Sequence, residues 1–222
     1  NIKGNYKKAL ANYEKALELG ALIQDTLGNS STLINIGNIY LAQDNLDKAL
    51  SYYHKSLPIK ERMNDKEGIV ICYVNLGIAY TGKKNYALAI QYFNKALPIA
   101  EEIGSVIDKI YAFRGKADAH LQSKQYDKAI LNAEESLRLA LQSNGKDEIR
   151  YCASVLNDIY EAKGNYAKAH EYLSLYAIYN DSITNQQVTD QIAELQVKYD
   201  TEKKAKENLA LVTEHELHKK EQ

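Results

Sequence analysis

A period of forty residues runs through this chain, and it decides the fold before any local propensity can. Tyr6, Leu46, Tyr86, Tyr126 and Tyr166 are spaced by 40 each time, and so are Ala9, Ala49, Ala89, Ala129 and Ala169, without slippage. A second set lies upstream in each unit: Gly37, Gly77 and Ala117 are small, and Tyr40, Tyr80, His120 and Tyr160 follow the same phase three residues later. Each unit therefore has two halves. Within each half the apolar residues recur at three and four, as in Leu33, Ile36, Gly37 and Tyr40 and then Leu46, Ala49, Leu50, Tyr53 and Leu57. That is the buried stripe of a helix. The polar stretches between halves, Gln43-Asp44-Asn45, Gly82-Lys83-Lys84-Asn85, Ser123-Lys124-Gln125 and Lys163-Gly164-Asn165, are too short for anything but an antiparallel hairpin. The expectation is an all-α chain of stacked antiparallel helix pairs.

Composition narrows the function classes. Twenty-eight Lys and Arg against 29 Asp and Glu give a net charge of -1, so no overall field marks a nucleic-acid binder or a polybasic membrane protein. Two Cys and two Pro against 18 Tyr disfavour disulfide-stapled and Pro-rich disordered chains. No apolar run reaches the ~18 residues of a membrane span, and no basic-then-apolar leader is present. The chain starts at Asn1 in the middle of a unit, which reads as an excised piece of a longer protein.

The pattern of a small residue, an aromatic three later, a turn, then Ala and a second aromatic is carried by Gly37, Tyr40, Ala49 and Tyr53, and by Gly77, Tyr80, Ala89 and Phe93. It resembles the tetratricopeptide repeat. The third unit keeps Ala117, Ala129 and Ser136 but has His120 and Ala133 at the aromatic sites; the fourth has Asn157 and Leu173. The resemblance implies a right-handed α-solenoid, a superhelix of ~40-residue repeats. Its parts are a half-repeat over 1–20, units over 21–62, 63–102, 103–142 and 143–182, and a capping or linker helix over 183–222. Six residues beyond the family's usual 34 imply lengthened helices and a deeper groove. Pro58 and Pro98 share one phase, where an interior Pro costs roughly 3 kcal/mol, so a kink or an early helix end is expected there.

After Asn180 the period stops and the composition turns to Gln, Lys and Glu. Val188, Ile192, Leu195 and Tyr199 make a stripe of spacing 4, 3, 4, which fits either a helix capping the last repeat or a coiled coil that dimerises the chain through 183–222. The segment QIAELQVKYDTEKKAKEN also resembles the linker of tetratricopeptide sensor proteins of Bacteroidetes-type bacteria. That likeness implies a two-component or transcriptional signalling protein, with a membrane helix and then a histidine kinase or DNA-binding domain behind the linker. It places the repeats in the periplasm. Two unpaired Cys argue instead for a reducing, cytoplasmic compartment.

No catalytic constellation emerges. Gly77 to Lys84 has the Gly and Lys spacing of a phosphate loop but lacks its Ser or Thr and a preceding strand. His215 and His218 are three apart, not the four of the zinc-protease helix, and no third metal ligand follows. Cys72 and Cys152 share a repeat phase two units apart, roughly 30–40 Å by helix spacing, which is beyond a disulfide. His54, His120 and His170 have no Ser or Cys partner. No cofactor, metal or directly bound nucleic acid is expected, and the chain reads as a non-enzyme.

In the family's architecture the first helix of each pair lines a concave groove. Phase places Ser31, Ile34, Asn38 and Leu41 there, then Ile71, Val74, Ile78 and Thr81, then Tyr111, Arg114, Asp118 and Leu121, then Tyr151, Ser154, Asp158 and Glu161. Ile34, Asn38, Ile71, Val74, Ile78, Tyr111, Arg114, Asp118, Tyr151 and Asp158 are the candidate contacts for a protein or peptide ligand. Ile71, Val74 and Ile78 fit neighbour-packing core equally well. Some tetratricopeptide domains hold a terminal carboxylate with two Asn and three basic residues; Asn38 and Asn75 match the Asn pair, but Ile34, Tyr111 and Gly115 stand where the cations belong. The reading is a non-catalytic peptide-binding sensor or scaffold of a bacterial signalling protein. The alternatives are an oligomerisation module acting through its last helix and an intracellular peptide-responsive regulator.

Overall fold

The computed structural model describes residues 2–180 and Lys204, with side chains from residue 6 onward. The chain divides into two compact units, 1–176 and 177–222, and the packing below belongs to the first. The long helix, coiled coil and dimer expected over 183–222 lie outside the described residues.

Eight helices follow one another: α1 (Ile2–Leu22), α2 (Thr26–Ala42), α3 (Leu46–Arg62), α4 (Lys66–Gly82), α5 (Tyr86–Glu102), α6 (Val106–Gln122), α7 (Tyr126–Gln142) and α8 (Lys146–Ala162). Residues 166–180 form a ninth, α9. From α2 to α8 every helix is 17 residues long, so the forty-residue unit is two equal halves of helix plus a three-residue turn. The family's extra residues sit in the helices.

Each turn reverses the chain by the same device. Gln24, Asp44, Asn64, Lys84, Gly104, Lys124, Asn144 and Gly164, twenty residues apart, all adopt positive φ, from 52° to 78°. This left-handed residue ends a helix and turns the next N–H back toward it, as when Asn45 N–H donates to the Tyr40 carbonyl at 2.8 Å. The side chain of that same Asn45 accepts from Lys48 N–H and caps α3. Asp25, Asp65, Asn85 and Ser105 cap their helices likewise. One residue thus closes one helix and opens the next, while Gln125 and Gly145 make no such cap.

Pro58 and Pro98 lie inside α3 and α5, which continue to Arg62 and Glu102. Of the kink or early helix end expected there, the early end does not occur. Both prolines are exposed, so the carbonyl each leaves without a partner is open to water, while Tyr53, Ser56 and Lys60, or Phe93, Ala96 and Ala100, bury the opposite side. Packing outweighs the local cost.

The core forms between helices along the stack. Phe93 is fully buried between two glycines: a Cβ at Gly77 would lie 2.5 Å from its ring, and one at Gly115 of the next unit 2.3 Å. Gly37 meets Tyr53 in the same way at 2.5 Å. The late aromatics Tyr53 and Phe93 occupy the space the glycines leave. Tyr40 and Tyr80 instead stack on Tyr52 and Tyr92, with centroids 5.6 and 5.5 Å apart, as Tyr160 does on Tyr172 at 5.6 Å.

The recurrent left-handed position carries a direct test. Lys124 holds φ 61° with a side chain that makes this conformation costly, so Lys124→Gly should raise unfolding free energy by about 0.5–1 kcal/mol. Urea denaturation reads the change; a loss of stability would contradict the strain assigned to this turn.

Candidate functional site

Helix contacts define which face is concave. α2 touches α4, α4 touches α6 and α6 touches α8, whereas among the described residues α3, α5 and α7 make no such contacts with one another. A stack whose first helices meet while its second helices splay is concave on the first-helix side. Two cavities open there.

The first, about 390 Å³, is lined from α2 by Ser31, Ile34, Asn35 and Asn38, from α4 by Glu67, Gly68 and Ile71, and by Lys60 and Asp65 beside them. Lys60 is 3% exposed, and its ammonium donates to Asp65 Oδ2 at 2.7 Å and Ser31 Oγ at 2.8 Å. The other oxygen of Asp65 accepts from Gly68 N–H at 2.9 Å. These bonds, the one from Lys60 foremost, hold the Asp65 carboxyl below the usual carboxylate range. Gly68 makes room for the lysine: a Cβ there would fall 2.6 Å from Lys60 Cδ. Asn38 is committed internally, its Oδ1 accepting from Tyr53 Oη at 2.8 Å and from Asn75 Nδ2 at 3.0 Å. In the carboxylate-holding pattern the oxygen of Asn38 is thus engaged by Tyr53 and by one amide donor of Asn75.

The second cavity, about 300 Å³, is lined by Ile78, Tyr111, Arg114, Gly115, Asp118, Tyr151, Ser154 and Val155 from α4, α6 and α8. The Arg114 guanidinium carbon lies 5.0 Å from the Tyr111 ring centre and 5.2 Å from that of Tyr151, and Arg150 sits 4.6 Å from the same Tyr151 ring. Cations and rings therefore alternate across α6 and α8. Arg114 makes no hydrogen bond or ion pair with the described residues. Asp118, one turn along, accepts from Gln122 at 3.0 Å. Burial and the nearby Glu148 push the Tyr111 phenol up, so it stays a neutral wall and hydrogen-bonding group.

The predicted residues divide accordingly. Ile34, Asn38 and Ile71 border the first cavity, and Ile78, Tyr111, Arg114, Asp118 and Tyr151 the second. Val74 is 5% exposed and packs with Phe93, Ala89 and Ala112, so it belongs to the core. Asp158 is exposed and lines neither cavity, accepting instead from Asn157. Lys60 and Asp65 were not foreseen; the signal was Lys60 standing at the phase that holds Ala100 and Ala140. A third cavity, about 810 Å³, lies beside α1 among Tyr6, Leu10, Tyr40 and Asp44, off the first-helix face.

Other chemistry is muted. Cys72 and Cys152 are buried free thiols, each against a serine, Ser56 at 3.7 Å and Ser136 at 3.1 Å; burial pushes Cys72 up to about 11 and Cys152 upward as well. Among the described residues no group of three His, Cys, Asp or Glu could hold a metal, and no helix is long and apolar enough to cross a membrane.

Comparison with known proteins follows the geometry. The tetratricopeptide repeat family profile matches residues 1–62 and 28–102. Among curated proteins no sequence is similar enough to match. The fold is shared with BtubC (BKLC) from P. vanneervenii, at TM-score 0.69 and 16% identity over 82% of this chain and 76% of that one. It is also shared with a Signal Transduction ATPase with Numerous Domains carrying a tetratricopeptide repeat sensor, from Pyrococcus horikoshii. There the TM-score is 0.63 and the identity 24%, over 86% of this chain but 29% of that protein. The apo form of RapI aligns at TM-score 0.57 and 17% identity, over 78% and 76% of the two chains. Residues 1–102 thus match the tetratricopeptide repeat family, and the described helices form an all-α solenoid of helix pairs, the fold these solved structures share.

The Lys60 and Asp65 pair sets a pH dependence. Because the folded pKa of Asp65 is depressed, its stabilisation is full above the unfolded value of ~3.9 and is lost as pH falls through the folded value. Asp65→Asn, which leaves a buried ammonium without its countercharge, should cost about 3 kcal/mol at neutral pH. Denaturation from pH 6 downward should show the gap to wild type closing below about pH 4. A gap independent of pH would remove the pair from the account.

Proposed function

We propose that the first-helix face of α2, α4, α6 and α8 binds an extended or helical segment of a partner protein, and that the chain is the non-catalytic sensor or scaffold part of a larger signalling protein. Tetratricopeptide repeats generally mediate protein–protein interaction, and families with this fold are typically binding rather than catalytic domains. The observation that carries the reading is Arg114, a cation walled by Tyr111 and Tyr151, facing a cavity with its donors uncommitted. Ile78 and Val155 give the same cavity an apolar side, so a partner side chain gains burial while Arg114 fixes direction. The cavity among Ser31, Asn35, Lys60 and Ile71 supplies a second anchoring place along the same face. The sensor role draws support from the Pyrococcus protein, whose tetratricopeptide region serves as a sensor there, and from the linker-like sequence after Asn180.

Selection of peptides from a random displayed library against the whole chain tests this. Binders should emerge whose affinity falls at least about tenfold, or 1.4 kcal/mol, in Arg114→Glu and in Ile78→Glu. Binders indifferent to both substitutions, or no enrichment at all, would remove the groove from the proposal.

A further inference from the structure

The third unit departs from its neighbours on the side of α6 that faces away from the groove. Lys116 and His120 each lie two residues, about 200°, round the helix from Arg114 and Asp118. Where Lys116 stands, the other units have Ile36, Leu76 and Leu156, all nearly or fully buried. Where the other units stack tyrosines, in the pairs Tyr40 with Tyr52, Tyr80 with Tyr92 and Tyr160 with Tyr172, this one has His120 and Asn132. At the phase of the next residue, Tyr53 and Phe93 give way to Ala133. Volume has been removed and polarity added at one spot.

The charge balance changes with it. Beside the tyrosine pair of the first unit lies Glu14, whose charge acts on Tyr52, and beside that of the fourth lies Glu134, which accepts from Tyr160 at 3.1 Å. The residue at this phase in the third unit is the neutral Asn94. Lys48 and Lys168 lie over tyrosine rings at 4.8 and 6.0 Å, and Lys168 also pairs with Glu171. Among the described residues their counterpart Lys128 lies over no ring and pairs with no carboxylate. Lys116 is half-buried with its ammonium 5.5 Å from the Phe113 ring centre, and it makes no hydrogen bond or ion pair with the described residues. His120 is 7% exposed, and its Nδ1 is buried without a hydrogen-bond partner. Burial, then Lys128 and Lys116, depress its basicity. The charges of both lysines thus act on an unsatisfied imidazole where the first and fourth units supply a carboxylate from within.

We propose that Asn94, Lys116, His120, Lys128 and Asn132 form a binding site for one oxyanion of the phosphate type, taken either as the free ion or as a phosphoryl group. The anion supplies the missing negative charge to both lysines and an acceptor for the imidazole N–H. Asn94 on α5 adds an amide donor, and Asn132 on α7 adds the amide proton left over from its bond to the Lys128 carbonyl at 2.7 Å. The site is independent of the groove reading, since no residue is shared.

The whole chain is titrated with inorganic phosphate against sodium chloride of equal ionic strength, reading the ring resonances of His120, identified by their loss in His120→Gln. A saturable shift with a midpoint on the order of 1 mM is expected in phosphate and none in chloride. Lys116→Leu, which restores the residue of the second and fourth units, should abolish the shift without lowering the melting temperature. His120→Tyr should likewise lose the thermal stabilisation that phosphate confers on wild type. A parallel titration with N-acetyl-phosphoserine amide separates the two sources: a matching shift supports a phosphoryl group, a response to inorganic phosphate alone supports the free ion. No saturable shift with either probe up to ~50 mM, or an equal shift in Lys116→Leu, would overturn the site.

Discussion

Everything in this fold depends on a chain reversal every twenty residues. A 17-residue helix, a three-residue turn with one left-handed residue, and a capping side chain at the third turn position recur from Asp25 to Asn165 with few exceptions. The regularity is thermodynamic as well as geometric. The backbone N–H of Asn45 or Asn85 satisfies the carbonyl end of one helix while its side chain satisfies the amide end of the next, so little is left exposed at either terminus. Equal helix lengths then let each pair present the same two faces to its neighbours, and short-range contacts between successive helices suffice to hold the stack.

The two faces do different work. Between helices, close approach is set by pairs of glycine and ring, Gly37 against Tyr53 and Gly77 with Gly115 around Phe93. This rigid interior fixes where the first helices sit, and so where Arg114, Tyr111 and Tyr151 meet across α6 and α8. The late units, whose repeat residues depart most from the pattern, carry polar features of their own: the cation and ring ladder on the concave side, and Lys116, His120 and Lys128 on the other. A repeat that relaxes its packing residues has positions to spend on chemistry, whereas Tyr53 and Phe93 hold theirs for the core.

The pairing of helices and the turns were legible from periodicity, because burial imposes one phase on every unit, whereas the choice of the first-helix face came from the family resemblance. What periodicity cannot distinguish is depth along that phase. Ile34 and Val74 share the inward register with Asn38 and Ile78, yet neighbouring first helices approach closely enough to cover them. The early helix end that proline propensity suggested at Pro58 and Pro98 does not occur, since a local rule ignores the buried opposite face that keeps α3 and α5 helical. Lys60 was hidden for the converse reason: its salt bridge runs to Asp65 and its room comes from Gly68, and only comparison with Ala100 and Ala140 makes the lysine conspicuous.

The claim that the concave face is the binding face is tested most directly by amide hydrogen exchange on the chain alone and with a selected peptide. The account predicts added protection along α4, α6 and α8, strongest around Ile78, Arg114 and Tyr151, with α5 and α7 unchanged. Protection concentrated on α5 and α7, with the first helices unaffected, would contradict it.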